Sequence, residues 1–223
     1  MTDTLETRIM LVDDHPLVRR GLTELISDED DLTVCEQVPS AEEALHVFGE
    51  AKPDLVIVDI SLPGMSGLEL IKRLRTRDPS IKILVSSMHE ESLFAERALR
   101  GGANGYVNKE EATENVVDAI RKILNGEVYL SEEMTQKMVS GVISGEATKS
   151  VVETLTDREF EIFRFIGSGL TARDISEKLH LSIKTVESHR DHIRHKLNLA
   201  NSNELVCYAV KWTLECKQNR PPV

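Results

Sequence analysis

Asp13, Asp14, Asp59, Ser87 and Lys109 are the residues of this chain whose types and places suit joint chemistry. Asp13 and Asp14 directly follow the apolar run Arg8–Val12, and Asp59 closes the run Leu55–Asp59. Ser87 lies just beyond Ile81–Ser86, and Lys109 just beyond Gly105–Asn108. If the first and third runs are adjacent strands, three carboxylates meet, and their mutual repulsion is costly without a cation. A hard ion that prefers oxygen, Mg²⁺, is the natural occupant. Carboxylates, a divalent cation, an ammonium and a hydroxyl together describe a site for a phosphoryl group. Each residue alone has a plainer reading, the aspartates as a strand-ending turn and the lysine as a solvated side chain. Their joint placement after four different runs sets them apart.

Bringing those ends together requires a sheet. The runs Arg8–Val12, Thr33–Val38, Leu55–Asp59, Ile81–Ser86 and Gly105–Asn108 read as strands. Between them, Leu17–Ile26, Ala41–Glu50, Gly67–Arg77, Leu93–Arg100 and Asn115–Asn125 space apolar residues as helices do. Alternation of this kind predicts an α/β doubly wound (βα)5 domain over residues 1–126, with a five-stranded parallel sheet whose carboxyl edge carries the site.

Four segments resemble the receiver domain of two-component response regulators: Leu11-Val-Asp-Asp-His-Pro16, Asp59-Ile-Ser-Leu-Pro-Gly-Met-Ser-Gly67, Ser87-Met-His-Glu90 and Gly105-Tyr-Val-Asn-Lys109. That resemblance implies that Asp59 is the phosphoacceptor. Asp14, Asp59 and the Ser61 carbonyl become direct Mg²⁺ ligands, with Asp13 acting mainly through water. Lys109 would hold a phosphoryl oxygen and Ser87 would hydrogen-bond the new group, letting Tyr106 turn inward as a two-state switch. Ser61 and His89 fall where the family tunes loss of the phosphoryl group to water, although His89 reads equally well as an ordinary loop histidine. The donor is expected to be a sensor histidine kinase. One departure is that Glu110 and Glu111, rather than proline, follow Lys109. This points towards the transcription-factor subfamily.

Residues 127–150 are richer in Gly, Ser and Glu and read as a partly helical linker, with a possible helix over Glu132–Val142. Beyond it, Leu155–Trp212 shows only helical patterns, within a domain expected over residues 151–216, and 217–223 form a tail. Thr156 and Glu159 are spaced for a capping box. Gly169–Leu179, then Leu181-Ser182, then Ile183–Leu197 gives a short helix, a tight turn and a longer helix. The expectation is an all-α four-helix helix-turn-helix domain.

Leu155–Trp212 resembles the LuxR-type DNA-binding domain of the NarL/FixJ class, through Leu155-Thr-Asp-Arg-Glu159, Ile175, Leu179, Ser182, Thr185-Val-Glu-Ser-His189, Ile193 and Lys196-Leu197. By that resemblance, Lys184, Thr185, Arg190, Arg194 and Lys196 contact phosphates of double-stranded DNA, and Glu187, Ser188 and Asp191 face the bases. Two acids among three base-facing positions are unusual, and Asp191 can pair with a neighbouring arginine instead. Apolar residues of Asn203–Leu214 exceed what one small core needs, so part of that face is a dimer candidate, a homodimer being expected when phosphorylated. Internal packing of every one is the alternative.

Charge agrees with this division. Residues 1–126 carry 14 basic and 24 acidic side chains, net −10, whereas 153–223 carry 11 and 10, net +1. Only the second region can approach DNA without strong repulsion. The 223 residues suit two modest domains, and the polar Met1–Thr7 lacks a signal-peptide pattern. No apolar run is long enough to span a membrane, so a cytoplasmic protein is expected. Cys35, Cys207 and Cys216 suggest neither disulfides nor a metal cluster. An aspartyl-phosphate phosphatase would carry an acid at position 61, where this chain has Ser61. A quorum-sensing regulator would not need the acidic cluster, and a degenerate receiver would not keep all five site residues. The reading is therefore a phosphorylation-dependent DNA-binding regulator, not an enzyme in its own right beyond slow loss of its own phosphoryl group.

Overall fold

In the computed structural model, residues 6–110, 112–144 and 151–218 are described. The chain divides into two compact units, Met1–Glu146 and Ala147–Val223. Expected features in residues 1–5, 111, 145–150 and 219–223, Glu111 among them, lie outside the described residues.

The first unit alternates β1 (Thr7–Val12), α1 (Pro16–Ser27), β2 (Leu32–Val38), α2 (Ala41–Ala51), β3 (Leu55–Val58), α3 (Gly67–Arg77), β4 (Lys82–Ser87), α4 (Glu91–Gly101), β5 (Gly105–Asn108), α5 (Ala112–Leu124) and α6 (Glu132–Ser144). All strand pairs are parallel, in the order β2-β1-β3-β4-β5. The expected five strand-helix pairs are present, and β1 and β3 are neighbours as the acidic site requires. Every residue of β3 is buried, which is why it reads as a continuous apolar run rather than an alternating one. Ile9, Leu11, Leu55, Ile57, Leu84 and Val107 pack with Leu22 and Ile26 of α1 and Val116, Ile120 and Ile123 of α5. Met10, Val56, Ile83 and Val85, also buried, alternate to the opposite face.

Residues after α5 do not leave this unit at once. Tyr129 lies beside β5, donating its amide to the Asn104 carbonyl at 3.1 Å and accepting from Tyr106 at 2.8 Å. A Cβ on Gly105 would stand 2.8 Å from Tyr129, so glycine there permits the approach. The segment read as a linker therefore extends the sheet edge, and α6 belongs to the first unit.

The second unit has a short 3₁₀ turn (Val151–Thr154) and four α-helices: α7 (Asp157–Gly167), α8 (Ala172–Lys178), α9 (Ile183–Lys196) and α10 (Ser202–Gln218). Thr156 with Glu159, and Thr171 with Asp174, form capping boxes, and Ser182 Oγ accepts the Thr185 amide. His180, at φ 51°, makes the left-handed residue that ends α8 and sets up the turn into α9. Phe160, Phe163, Ile175, Leu179, Val186, Ile193, Leu205 and Ala209 form the core, with Trp212 edge-on to Phe160 and Phe163.

Lys196 Nζ lies 2.7 Å from Glu159 Oε2, tying the end of α9 to the cap of α7. Burial works against the Glu159 carboxylate, but the Lys196 ammonium and the Thr156 cap outweigh it and hold its pKa below the ordinary 4.5. A lowered folded value means that stabilisation is complete above 4.5 and is lost as pH falls through that lowered value. Thermal unfolding of Lys196→Met should therefore show a deficit at neutral pH that closes as the pH falls below the ordinary carboxylate range. A deficit independent of pH would mean that the pair contributes nothing.

Candidate functional site

The carboxyl edge of the sheet gathers the expected acids. Asp13 and Asp14 follow β1, and Asp59 follows β3, one residue past the strand expected to include it. The Asp59 amide still donates to the Val12 carbonyl at 2.9 Å, so the ladder continues through its backbone while its side chain is released to the edge. Asp13 and Asp59 are each 3% exposed.

Lys109 bridges them. Its Nζ lies 2.6 Å from Asp13 Oδ2 and 2.6 Å from Asp59 Oδ2. Burial opposes the ammonium, but the two carboxylates outweigh it and hold the pKa above the ordinary lysine value. One ammonium against Asp13, Asp14 and Asp59 leaves an excess of negative charge in a nearly closed site. Ligand atoms of Asp13, Asp14, His15 and Asp59 all lie within 4.8 Å of one another. That oxygen-rich, anionic set is compatible with a divalent cation.

His89 joins the other expected residues. Its Nε2 is 2.7 Å from Ser61 Oγ, its amide donates to Ser87 Oγ at 3.3 Å, and its carbonyl accepts from the Tyr106 hydroxyl at 2.8 Å. The ring stacks on Phe94 with centroids 4.5 Å apart. Tyr106, expected to turn inward only on phosphorylation, is already inward, with 1% of its surface exposed. Ser87, expected just past β4, is its last residue and is fully buried.

In the second unit, α8 and α9 form the expected helix pair. Val186, Ile193 and Leu197 are buried, whereas Lys184, Glu187, Ser188 and Asp191 are exposed, with Thr185, Arg190 and Arg194 half-buried beside them. Asp191 pairs with Arg194 at 3.2 Å and Glu187 with Arg190 at 3.7 Å. The acids that stand out on this face are thus partly neutralised along their own helix.

Residues 9–121 match the family described as the response regulator receiver domain, and residues 153–209 match the LuxR family of bacterial regulatory proteins. The chain is 37% identical over 204 residues to the response regulator GacA of Pseudomonas viridiflava, covering 92% of this chain and 95% of the relative. The chain is a two-component response regulator.

Solved structures agree with the fold of this response regulator. A LuxR-family two-component response regulator from Aurantimonas sp. SI85-9A1 aligns with TM-score 0.58 at 38% identity, covering 62% of this chain and 99% of that one. RcsB from Salmonella enterica serovar Typhimurium, solved bound to promoter P1flhDC with the phosphomimetic BeF3⁻, aligns with TM-score 0.61 at 23% identity. That alignment covers 92% of this chain and 98% of RcsB. The family is one of transcriptional regulators with a receiver domain and a LuxR-type DNA-binding domain, and no helix among the described residues is long and apolar enough to cross a membrane.

Two residues of the regulator's site escaped the reading of sequence. His15 Nδ1 is 2.7 Å from Asp14 Oδ1, and its amide donates to Asp13 Oδ1 at 2.8 Å. Its place directly after the acid pair was the available signal. Phe94 had none, because its stacking on His89 depends on how α4 lies against β5.

Proposed function

We propose that this regulator is switched by phosphorylation of Asp59 and that the switch controls dimerisation and promoter binding. The observation that carries the reading is the nearly buried Lys109 ammonium held between Asp13 and Asp59. A carboxylate oxygen of Asp59 attacks the phosphorus of a sensor histidine kinase phosphohistidine. An oxygen–phosphorus bond forms, the nitrogen–phosphorus bond breaks, and its electron pair returns to the imidazole.

Asp13, Asp14, Asp59 and the Ser61 carbonyl would hold Mg²⁺, which supplies charge neutralisation on the transferring group. Lys109 binds a phosphoryl oxygen once one carboxylate has become an acyl phosphate. Ser87 donates to the new group, and Tyr106 and the loop carrying His89 respond. Ser61 and His89, already hydrogen-bonded together, regulate how readily water reaches the phosphorus during autodephosphorylation. Incubation with Mg²⁺ and acetyl phosphate should add one phosphoryl group by intact mass, and chelation of Mg²⁺ should prevent it. An unmodified mass in the presence of Mg²⁺ would remove the proposal.

Output lies in residues 151–216, with residues 1–126 as the receiver domain, 127–150 running on from it with α6 still part of the first unit, and 217–223 as a tail, the whole acting in the cytoplasm. Lys184, Thr185, Arg190, Arg194 and Lys196 contact phosphates of duplex DNA, while Glu187, Ser188 and Asp191 approach base edges. An open apolar groove on α10 lined by Val206, Val210 and Leu214, flanked by Cys207, Lys211 and Glu215, supports a homodimer contact. Replacing Arg190 and Arg194 together by alanine should weaken binding to all sequences alike and flatten the salt dependence by about one unit of slope per lost phosphate contact. Titrations over a range of salt concentrations check this, and an unchanged slope would place the phosphate contacts elsewhere.

A further inference from the structure

Helix α6 begins on a cap that another helix completes. In α7 and α8, the acid three residues after the N-cap takes the N-cap amide: Glu159 accepts from Thr156 at 2.7 Å, and Asp174 from Thr171 at 2.9 Å. α6 has half of this arrangement, since Ser131 Oγ accepts from the Met134 amide at 3.1 Å. Its third position, however, is Met134, which is buried in the first unit. The Ser131 amide is taken instead by Glu91 Oε1 at 2.9 Å. Glu91 is the first residue of α4. One turn further along α6, Lys137 Nζ reaches the carbonyl of the next residue, Ser92, at 3.4 Å.

Such a helix leans on its cap. Among the side chains of α6 described, Met134 alone is buried, so packing supplies little of its stability. A carboxylate at a helix start also answers the positive end of the helix dipole. Glu91 is two residues from His89, whose amide, carbonyl and ring engage Ser87, Tyr106 and Ser61. Displacement of this loop therefore carries Glu91 with it.

We propose that α6 is a direct output of the phosphoryl site: Glu91 caps it from α4, and a shift of residues 87–90 re-seats or loosens its first turn. This rests on phosphorylation of Asp59. It gives α6, read from the sequence as part of a linker, a role as a reporter within the first unit.

The test measures amide hydrogen exchange in the full-length protein with Mg²⁺, with and without beryllofluoride, beside Asp59→Asn, Glu91→Ala and Glu91→Gln. In the wild-type protein, protection across residues 131–138 should change roughly threefold or more on adding beryllofluoride, and in Asp59→Asn it should not change. Glu91→Ala should lose protection there by roughly three- to tenfold before any addition, as expected when one exposed hydrogen bond at a helix start is removed. It should also lose the response, while Glu91→Gln, which keeps an acceptor, falls between. Wild-type protection that changes at residues 87–90 but stays constant across 131–138 overturns the coupling and leaves phosphorylation standing. Baseline protection in Glu91→Ala equal to wild type overturns it as well. Should Glu91→Ala fail to fold, the wild-type comparison decides alone. A wild-type mass unmodified by acetyl phosphate defeats the phosphorylation reading itself, and the coupling with it.

Discussion

Asp59→Asn should abolish phosphoryl acceptance, lowering the rate of modification by acetyl phosphate at least about a hundredfold, since the amide is no nucleophile at neutral pH. The substitution keeps shape but turns one of the two oxygens that accept from the Ser61 amide and Lys109 into a donor, while Lys109 keeps Asp13 as a partner at 2.6 Å. Folding is therefore preserved, and the loss is chemical. One of three carboxylates is also removed from the cation site, so Mg²⁺ should bind more weakly. Intact mass with time, read beside DNA affinity before and after treatment, checks both parts. Modification of the variant at the wild-type rate would place the acceptor on another residue.

Gly67→Ala should destabilise the first unit by about 3 kcal/mol or more, the upper range for forcing extra volume into a packed site. A Cβ on Gly67 would lie 1.9 Å from the Asp59 carbonyl oxygen and 2.8 Å from Ile60 Cα. Those are backbone atoms, so no side-chain rotation relieves the clash. The Gly67 amide donates to the Ile60 carbonyl at 2.8 Å, closing the loop that turns from β3 into α3. Either that loop opens, moving Asp59 and Ser61, or the helix start unwinds. The thermal midpoint should fall by roughly 10 °C, and phosphoryl acceptance should slow with it. Gly21→Ala is the matched control: nothing lies within 4 Å of its Cβ, and within α1 it should stabilise by about 0.5–1 kcal/mol. Equal midpoints for Gly67→Ala and wild type would show that the loop is not tightly closed in solution.

Much of the fold was legible because its signals are local. The apolar run of β3 reflects burial on both faces. The Thr156 and Glu159 spacing acts within one helical turn. The stripe of Val186, Ile193 and Leu197 follows the helical period and is buried where expected. Element ends were less legible: Asp59 closes a run of apolar residues, yet β3 ends at Val58 even though the Asp59 amide still pairs with the Val12 carbonyl. The helix at Glu132 was visible, but its membership of the first unit was not, since Tyr129 pairs with β5 across more than twenty residues of intervening chain.

For the site, sequence alone determined the residue types and the strand ends on which they sit, because alternating strands and helices bring all those ends to one edge. Asp13, Asp14, Asp59, Ser87 and Lys109 follow from that geometry together with the resemblance. Only the tertiary structure decided that Lys109 bridges Asp13 and Asp59, that Ser61 meets His89, that His15 turns back onto the acids, and that Glu91 caps α6. The physical reason is range. Periodicity, capping and charge act over a few residues and are written into local order. Side-chain partners from distant segments depend on how α4, β4 and the strand-edge loops pack, and burial then makes each unmade hydrogen bond costly enough to select one arrangement.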